Sequence, residues 1–228
     1  PGFPVLSFTH WIMAIFIVAV IHEFSHGIYA RLHKIKIKSS GFAFLGPILA
    51  AFVEPDEKIL SKKSKKAQLE VFSAGPFSNI LTACIFMAIL SFVTLPLLNS
   101  VYVEDGITIN TLIEGYPMEE INPETPFIIK EINGMPTLNF GQFLNATKEI
   151  KPNQEILLET DKGKIKLTTV ENPDNKSKGF MGVKDFGTER KPNENIVSKF
   201  GAFVPPLVNW FHMLVFWLWV ISLGIGLF

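Results

Sequence analysis

Disulfide chemistry is missing from this chain. Its 228 residues hold one cysteine, Cys84, inside an apolar block, and a single thiol cannot form an intrachain bridge. A net charge of either sign is missing too, with 21 Lys/Arg against 21 Asp/Glu. No basic start followed by a cleavage site marks a signal peptide. There are no internal repeats or low-complexity tracts, and nothing points to nucleic acid as a partner. The chain opens on Pro1 rather than Met and stops inside an apolar run at Phe228, so it is expected to be a fragment truncated at both ends.

What is abundant is apolar sequence. Hydrophobic residues make up 48% of the chain, Phe occurs 21 times, and mean hydropathy is positive. The hydrophobic share and the hydropathy both lie near or above the top of the soluble range. The apolar residues gather in three blocks. Trp11 to Ile21 is an unbroken run of 11 residues, too short alone for a bilayer. It lies in a first block of about Phe8 to Leu32 and becomes long enough if the helix continues through His22, Glu23, Ser25 and His26 to Tyr29. Ile80 to Leu98 runs 19 residues without a formal charge and predicts a second spanning helix, preceded by Ala74-Gly75-Pro76-Phe77-Ser78-Asn79. Leu207 to Phe228, after the Pro205-Pro206 interruption, predicts a third.

Charge is distributed unevenly between these blocks. Arg31 to Lys66 carries nine Lys/Arg against three acidic residues, a net of +6, whereas Glu104 to Lys199 carries 12 against 16, a net of −4. Basic loops mark the cytoplasmic side of a membrane protein. The basic loop alternates as a strand does over Lys34 to Lys38, has a turn signal at Ser39-Ser40-Gly41, and is apolar over Phe42 to Val53 except for Gly46-Pro47. A hairpin dipping into the membrane surface is expected there. The Lys58 to Lys66 stretch reads as a solvated face touching anionic lipid. From Val101 to about Gly187 short strand-like stretches recur (Ile107 to Ile109, Phe127 to Ile129, Glu155 to Glu159, Lys164 to Thr168). Turn signals such as Asn133-Gly134 separate them, and Gln142 to Ile150 suits a short helix.

The expected fold class is therefore an α-helical membrane protein of three core spans with a membrane-associated β-hairpin, plus a small α+β domain. The expected divisions are residues 1–100, 101–190 and 191–228.

His22-Glu23-Phe24-Ser25-His26 carries the chemistry. Residues four apart on a helix share a face, so both imidazoles can hold one zinc ion. Glu23 is placed to act as general base on a water whose pKa the ion lowers. Apolar sequence leads straight into this motif, and an unpaired Glu at membrane depth costs a few kcal/mol, which marks a site rather than a surface helix. The metzincin extension is absent: Tyr29 stands where Gly is required, and no third His follows at the required spacing.

These features resemble the site-two protease family of intramembrane metalloproteases, its archaeal-type members above all. The resemblance rests on His22 to Gly27, on Ala51-Phe52-Val53-Glu54-Pro55-Asp56-Glu57 at the end of a membrane hairpin, and on Ser73-Ala74-Gly75-Pro76-Phe77-Ser78-Asn79. It rests also on Ile128 to Thr137, similar to the central part of a PDZ domain. It implies zinc-dependent cleavage of transmembrane protein substrates within the lipid bilayer of the cell membrane. The PDZ-like domain would be extracytoplasmic and could take peptide C-termini. It also implies a third ligand, an Asp before Gly, expected beyond Phe228. Asn172-Pro173-Asp174-Asn175 is rejected for that role, being polar and lacking the Gly.

Asn79 has two readings. A buried amide in a membrane helix commonly just bonds a neighbour, whereas the resemblance implies a hold on substrate backbone or the oxyanion. His212 reads as a packed residue, and His10 and His33 as interfacial or solvated. A noncatalytic membrane adaptor that binds peptides through its PDZ-like domain is the main alternative function. A metal transporter is a third reading, weakened by the scarcity of polar residues in the second and third helices.

Overall fold

The computed structural model of the protein describes residues 5–45 and 48–227. The expected Gly46-Pro47 break lies outside them. The chain divides into a helical unit, up to Ser100 and again from Phe200, and a sheet unit, Val101–Lys199.

In the helical unit, α1 spans Phe8–Leu32. Ser7 caps it by accepting from the His10 amide. Its apolar residues occupy most of its circumference, as in a helix with no watery side. Next come β1 (Ile37–Leu45) and β2 (Ile48–Pro55), an antiparallel hairpin that pairs Ser40 with Val53 and Phe42 with Ala51. Ser39, Ser40 and Gly41 lie within β1, not at a turn. The Ser39 hydroxyl donates to Glu54 on the opposite strand at 2.6 Å, so a residue of the turn signal serves as a cross-strand partner. Lys34, expected to begin the strand, instead takes a left-handed conformation (φ 57°).

After α2 (Glu57–Leu60), which Asp56 caps, α3 covers Lys65–Ile89. It begins 15 residues before the expected second helix, because Ser64 caps it and Ala74-Gly75-Pro76 does not end it. Pro76 sits inside the helix, where it has no N–H to offer the Phe72 carbonyl. A π-helical turn, Leu90–Thr94, leads into α4 (Leu95–Val101).

The sheet unit contains, in order, β3 (Tyr102–Leu112), α5 (Pro117–Ile121), β4 (Phe127–Ile132), β5 (Met135–Pro136), α6 (Phe140–Lys148), β6 (Glu155–Thr160), β7 (Gly163–Thr168), β8 (Val170–Glu171), β9 (Gly179–Phe180) and β10 (Val183–Pro192). The main sheet runs β10-β3-β4-β6-β7 with every pair antiparallel; β5 pairs with β4, and β8 with β9. Asn133 and Gly134 both take positive φ between β4 and β5, as a two-residue hairpin turn of mirror-image type requires. Ile107, Ile109, Phe127, Ile129, Leu158 and Phe143 belong to a continuous core.

α7 (Glu194–Phe200) and α8 (Val204–Leu227) complete the chain. Pro205 and Pro206 do not interrupt α8. They occupy its first turn, where backbone N–H groups have no helical partner. In the helical unit α8 packs on α1 through Leu214, Trp217 and Leu218 against Ala14 and Val18. His10, expected at an interface or in solvent, is buried here, with Nε2 3.0 Å from the Trp210 carbonyl. His212 meets Thr94 of the π turn at 2.9 Å. Phe8–Leu32, Lys65–Val101 and Val204–Leu227 are each long and apolar enough to cross a membrane.

Candidate metal centre

His22 and His26 lie one turn apart on α1 and turn the same ring atoms toward each other, with Nε2 to Nε2 at 3.2 Å. The protonation of His26 follows from its other nitrogen. Nδ1 lies 2.7 Å from the Val71 carbonyl, which can only accept, so Nδ1 carries hydrogen and the neutral ring offers a lone pair at Nε2. His22 Nδ1 lies 2.9 Å from the Asn79 carboxamide, also on α3 and fully buried.

A metal ion fits this pair. Two imidazoles at 2.0–2.1 Å from a tetrahedral zinc ion place their nitrogens about 3.3 Å apart, close to the separation observed. The space beside them is kept by Gly75. A Cβ at that position would stand 2.4 Å from His22 Nε2 and 2.5 Å from His26 Nε2. Gly75 therefore backs the site with bare backbone, and any side chain there would push into both rings.

Glu23 follows His22 directly, and its Oε2 accepts the Val53 amide of β2 at 3.2 Å. Val53 also covers the next turn of α1, where its Cγ1 would be 3.1 Å from a Cβ on Gly27. Ser25, between the histidines, donates to the Ile21 carbonyl of its own helix. A cavity of about 490 Å³ reaches His26, lined also by Val53, Glu54, Gln68, Val71 and Phe72. Most of its wall is apolar, and His26, Glu54 and Gln68 are among the residues that give it polar groups to meet water.

Among the described residues, no third His, Cys, Asp or Glu joins the two histidines. Asp174 lies in the sheet unit between β8 and β9, in a turn closed by Asn172 Oδ1 accepting its amide. An Asp-Gly pair does occur, Asp105-Gly106, but in β3, and its carboxylate is held by Lys130 at 3.0 Å and Lys191 at 2.9 Å. His33 is partly exposed and paired, its Nε2 lying 2.6 Å from Glu70 of α3.

The structure thus brings His22, His26 and Asn79 together, and ties Glu23 to the hairpin. Three contributions go beyond the motif residues: the empty side of Gly75, the Val71 carbonyl and the Val53 amide. Gly75 stands within a recognisable motif, but nothing in its letter states why glycine is needed. The other two are backbone groups that every residue type supplies.

Comparison with known proteins gives matches of three kinds. The family model for peptidase family M50 matches residues 10–228. An uncharacterized protein of Methanocaldococcus jannaschii, MJ0971, is 34% identical over 150 residues, which cover 63% of this chain and 37% of that protein. The chain thus spans little more than a third of that relative's length. A solved PDZ domain, from an SdrC-like protein of Listeria monocytogenes, aligns with 40% of this chain and 92% of its own, at 11% identity and a TM-score of 0.30.

Proposed function

The chain belongs to peptidase family M50, and on that premise we propose that it is a zinc-dependent endopeptidase that cuts transmembrane protein substrates within the bilayer. The observation that carries this reading is the 3.2 Å approach of two imidazole nitrogens over a glycine. With both rings in the Nδ1–H form, two lone pairs would face each other, an arrangement that only a cation between them makes favourable.

His22 and His26 hold the ion through Nε2, and a further ligand comes from residues other than those described. The ion, when bound, supplies a Lewis acid and acidifies water at the site. Glu23 takes a proton from the attacking water and returns it to the leaving amine as the peptide bond breaks. The carboxylate is held ready by the Val53 amide. The cavity beside His26 lets water in, while the apolar helices keep the rest of the unit in lipid. A substrate helix must unwind first, because helical carbonyls are already hydrogen-bonded. The free edge of the hairpin is suited to receive the resulting extended segment by strand addition.

The basic Arg31 to Lys66 loop faces the cytoplasm. The 101–190 segment, one span later, lies outside it and acts as a PDZ-like module for peptide C-termini. The test is hydrolysis of a membrane-embedded peptide by the full-length protein. Glu23→Gln is expected to abolish cleavage while zinc content stays at the wild-type level. Cleavage that persists in Glu23→Gln would overturn the reading and favour the adaptor.

A further inference from the structure

Asn79 is buried with its carboxamide against His22, yet only one end of the amide is used. Nδ2 lies 2.9 Å from His22 Nδ1, and Oδ1 has no hydrogen-bond partner. A buried carbonyl oxygen left unpaired has given up its hydrogen bond to water with nothing in return. The two ends of a carboxamide have the same shape, so hydrogen bonding decides which one faces the imidazole.

The two orientations have opposite consequences for His22. With Nδ2 facing the ring, His22 Nδ1 must accept, the ring proton moves to Nε2, and Nε2 then points a hydrogen at His26. That closes a chain from Asn79 through both rings to the Val71 carbonyl, and it leaves no lone pair on His22 for a metal. With the amide turned over, Oδ1 accepts from His22 Nδ1–H. The orphaned oxygen gains a partner, and Nε2 presents its lone pair beside that of His26.

We propose that Asn79 is a positioning residue for the metal: its Oδ1 holds His22 in the Nδ1–H tautomer and so makes Nε2 a ligand. Val71 does the same for His26 through a backbone carbonyl. Each imidazole is thus oriented from α3 by an oxygen behind it, the usual outer support of a metal-bound histidine. This rests on the proposed zinc site, but it gives Asn79 a task different from holding substrate or an oxyanion.

The experiment is zinc affinity of the full-length protein in detergent, by competition with a chromophoric chelator. The visible spectrum of the cobalt-substituted form serves as a second readout. Asn79→Leu is expected to weaken zinc binding about 10- to 100-fold and to alter the cobalt spectrum. Asn79→Asp, which keeps an oxygen facing His22, is expected to bind zinc at least as tightly as wild type. Should Asn79→Leu not fold, Asn79→Ala carries the same comparison.

Leu or Ala variants that bind zinc like wild type but cleave poorly would overturn the proposal and return Asn79 to the substrate. An Asp variant as weak as the Leu variant would overturn it in favour of a purely structural amide. His26→Ala separates the two levels of argument. If it binds zinc as tightly as wild type, the metal centre itself is wrong, whatever Asn79 does.

Discussion

The Val53 amide donates to Glu23 Oε2 at 3.2 Å, so an edge strand of the hairpin and the base of the motif helix are tied by one hydrogen bond. The tie has a mechanical meaning. Whatever displaces β2 also displaces that carboxylate, so under the proposed mechanism strand position and catalytic readiness are coupled.

Val53→Pro tests that coupling. Proline removes the donor yet is tolerated on the outer edge of a strand, where no ladder bond is lost. Zinc content is expected to be unchanged. Turnover of a membrane-embedded peptide is expected to fall on the order of 10- to 100-fold, as when a reacting group is misplaced. Wild-type turnover would show that the contact is incidental.

Gly75→Ala separates folding from metal binding. Alanine favours a helix interior by roughly 0.5–1 kcal/mol over glycine, so helical content and thermal stability are expected to hold. The added Cβ would stand within 2.5 Å of both Nε2 atoms. Zinc affinity is expected to fall at least about tenfold, as it does when ligand orientation is lost. Chelator competition checks it, with circular dichroism as the folding control.

Gly226 sets the approach of α8 to α3. A Cβ there would lie 3.0 Å from the Ile80 amide nitrogen and 3.2 Å from the Pro76 carbonyl oxygen, both backbone atoms that cannot step aside alone. Gly226→Leu is expected to destabilise the helical unit by about 1–3 kcal/mol, the usual cost of overpacking. A lowered thermal midpoint in detergent, with the sheet unit unaffected, is the expected result.

Asp105 gives the sheet unit an acid limit. Burial pushes its carboxyl up, but hydrogen bonds and charge from Lys191 and Lys130 outweigh that, and the group titrates below its ordinary 3.8. Its folded value is lower than its unfolded one. Its contribution is therefore complete above the unfolded value and is lost as pH falls through the folded one. Asp105→Asn is expected to lower stability at neutral pH and to flatten the loss of stability below about pH 4. Hydrogen exchange along β3 and β10, followed from pH 7 downward, checks both.

Much of the architecture is legible in the letters. The bounds of α1 follow from apolar sequence continuing through His22 to Tyr29, and β4, β6 and β7 follow from alternation and from turns such as Asn133-Gly134. The start of α3 is not legible. Lys58 to Lys66 reads as a solvated basic stretch, and Ala74 to Asn79 as a segment before the helix, yet Ser64 caps a helix that takes in Lys65, Lys66 and all of the latter segment. Serines suggest a turn until a partner strand supplies Glu54 for Ser39 to bond. At the metal centre the two histidines and the glutamate announce themselves by spacing. The oxygen behind His26 belongs to the main chain of Val71, and no residue letter records it.

The bare backbone at Gly75 also has an evolutionary reading. Alanine or valine is one nucleotide away from any glycine codon, and either would fill the space between the rings while leaving His-Glu-x-x-His intact. A homologue so altered would keep the five-letter motif and yet, if the proposed site is right, hold its metal weakly. Position 75 is thus a second place, outside the signature, at which such a lineage could lose its metal.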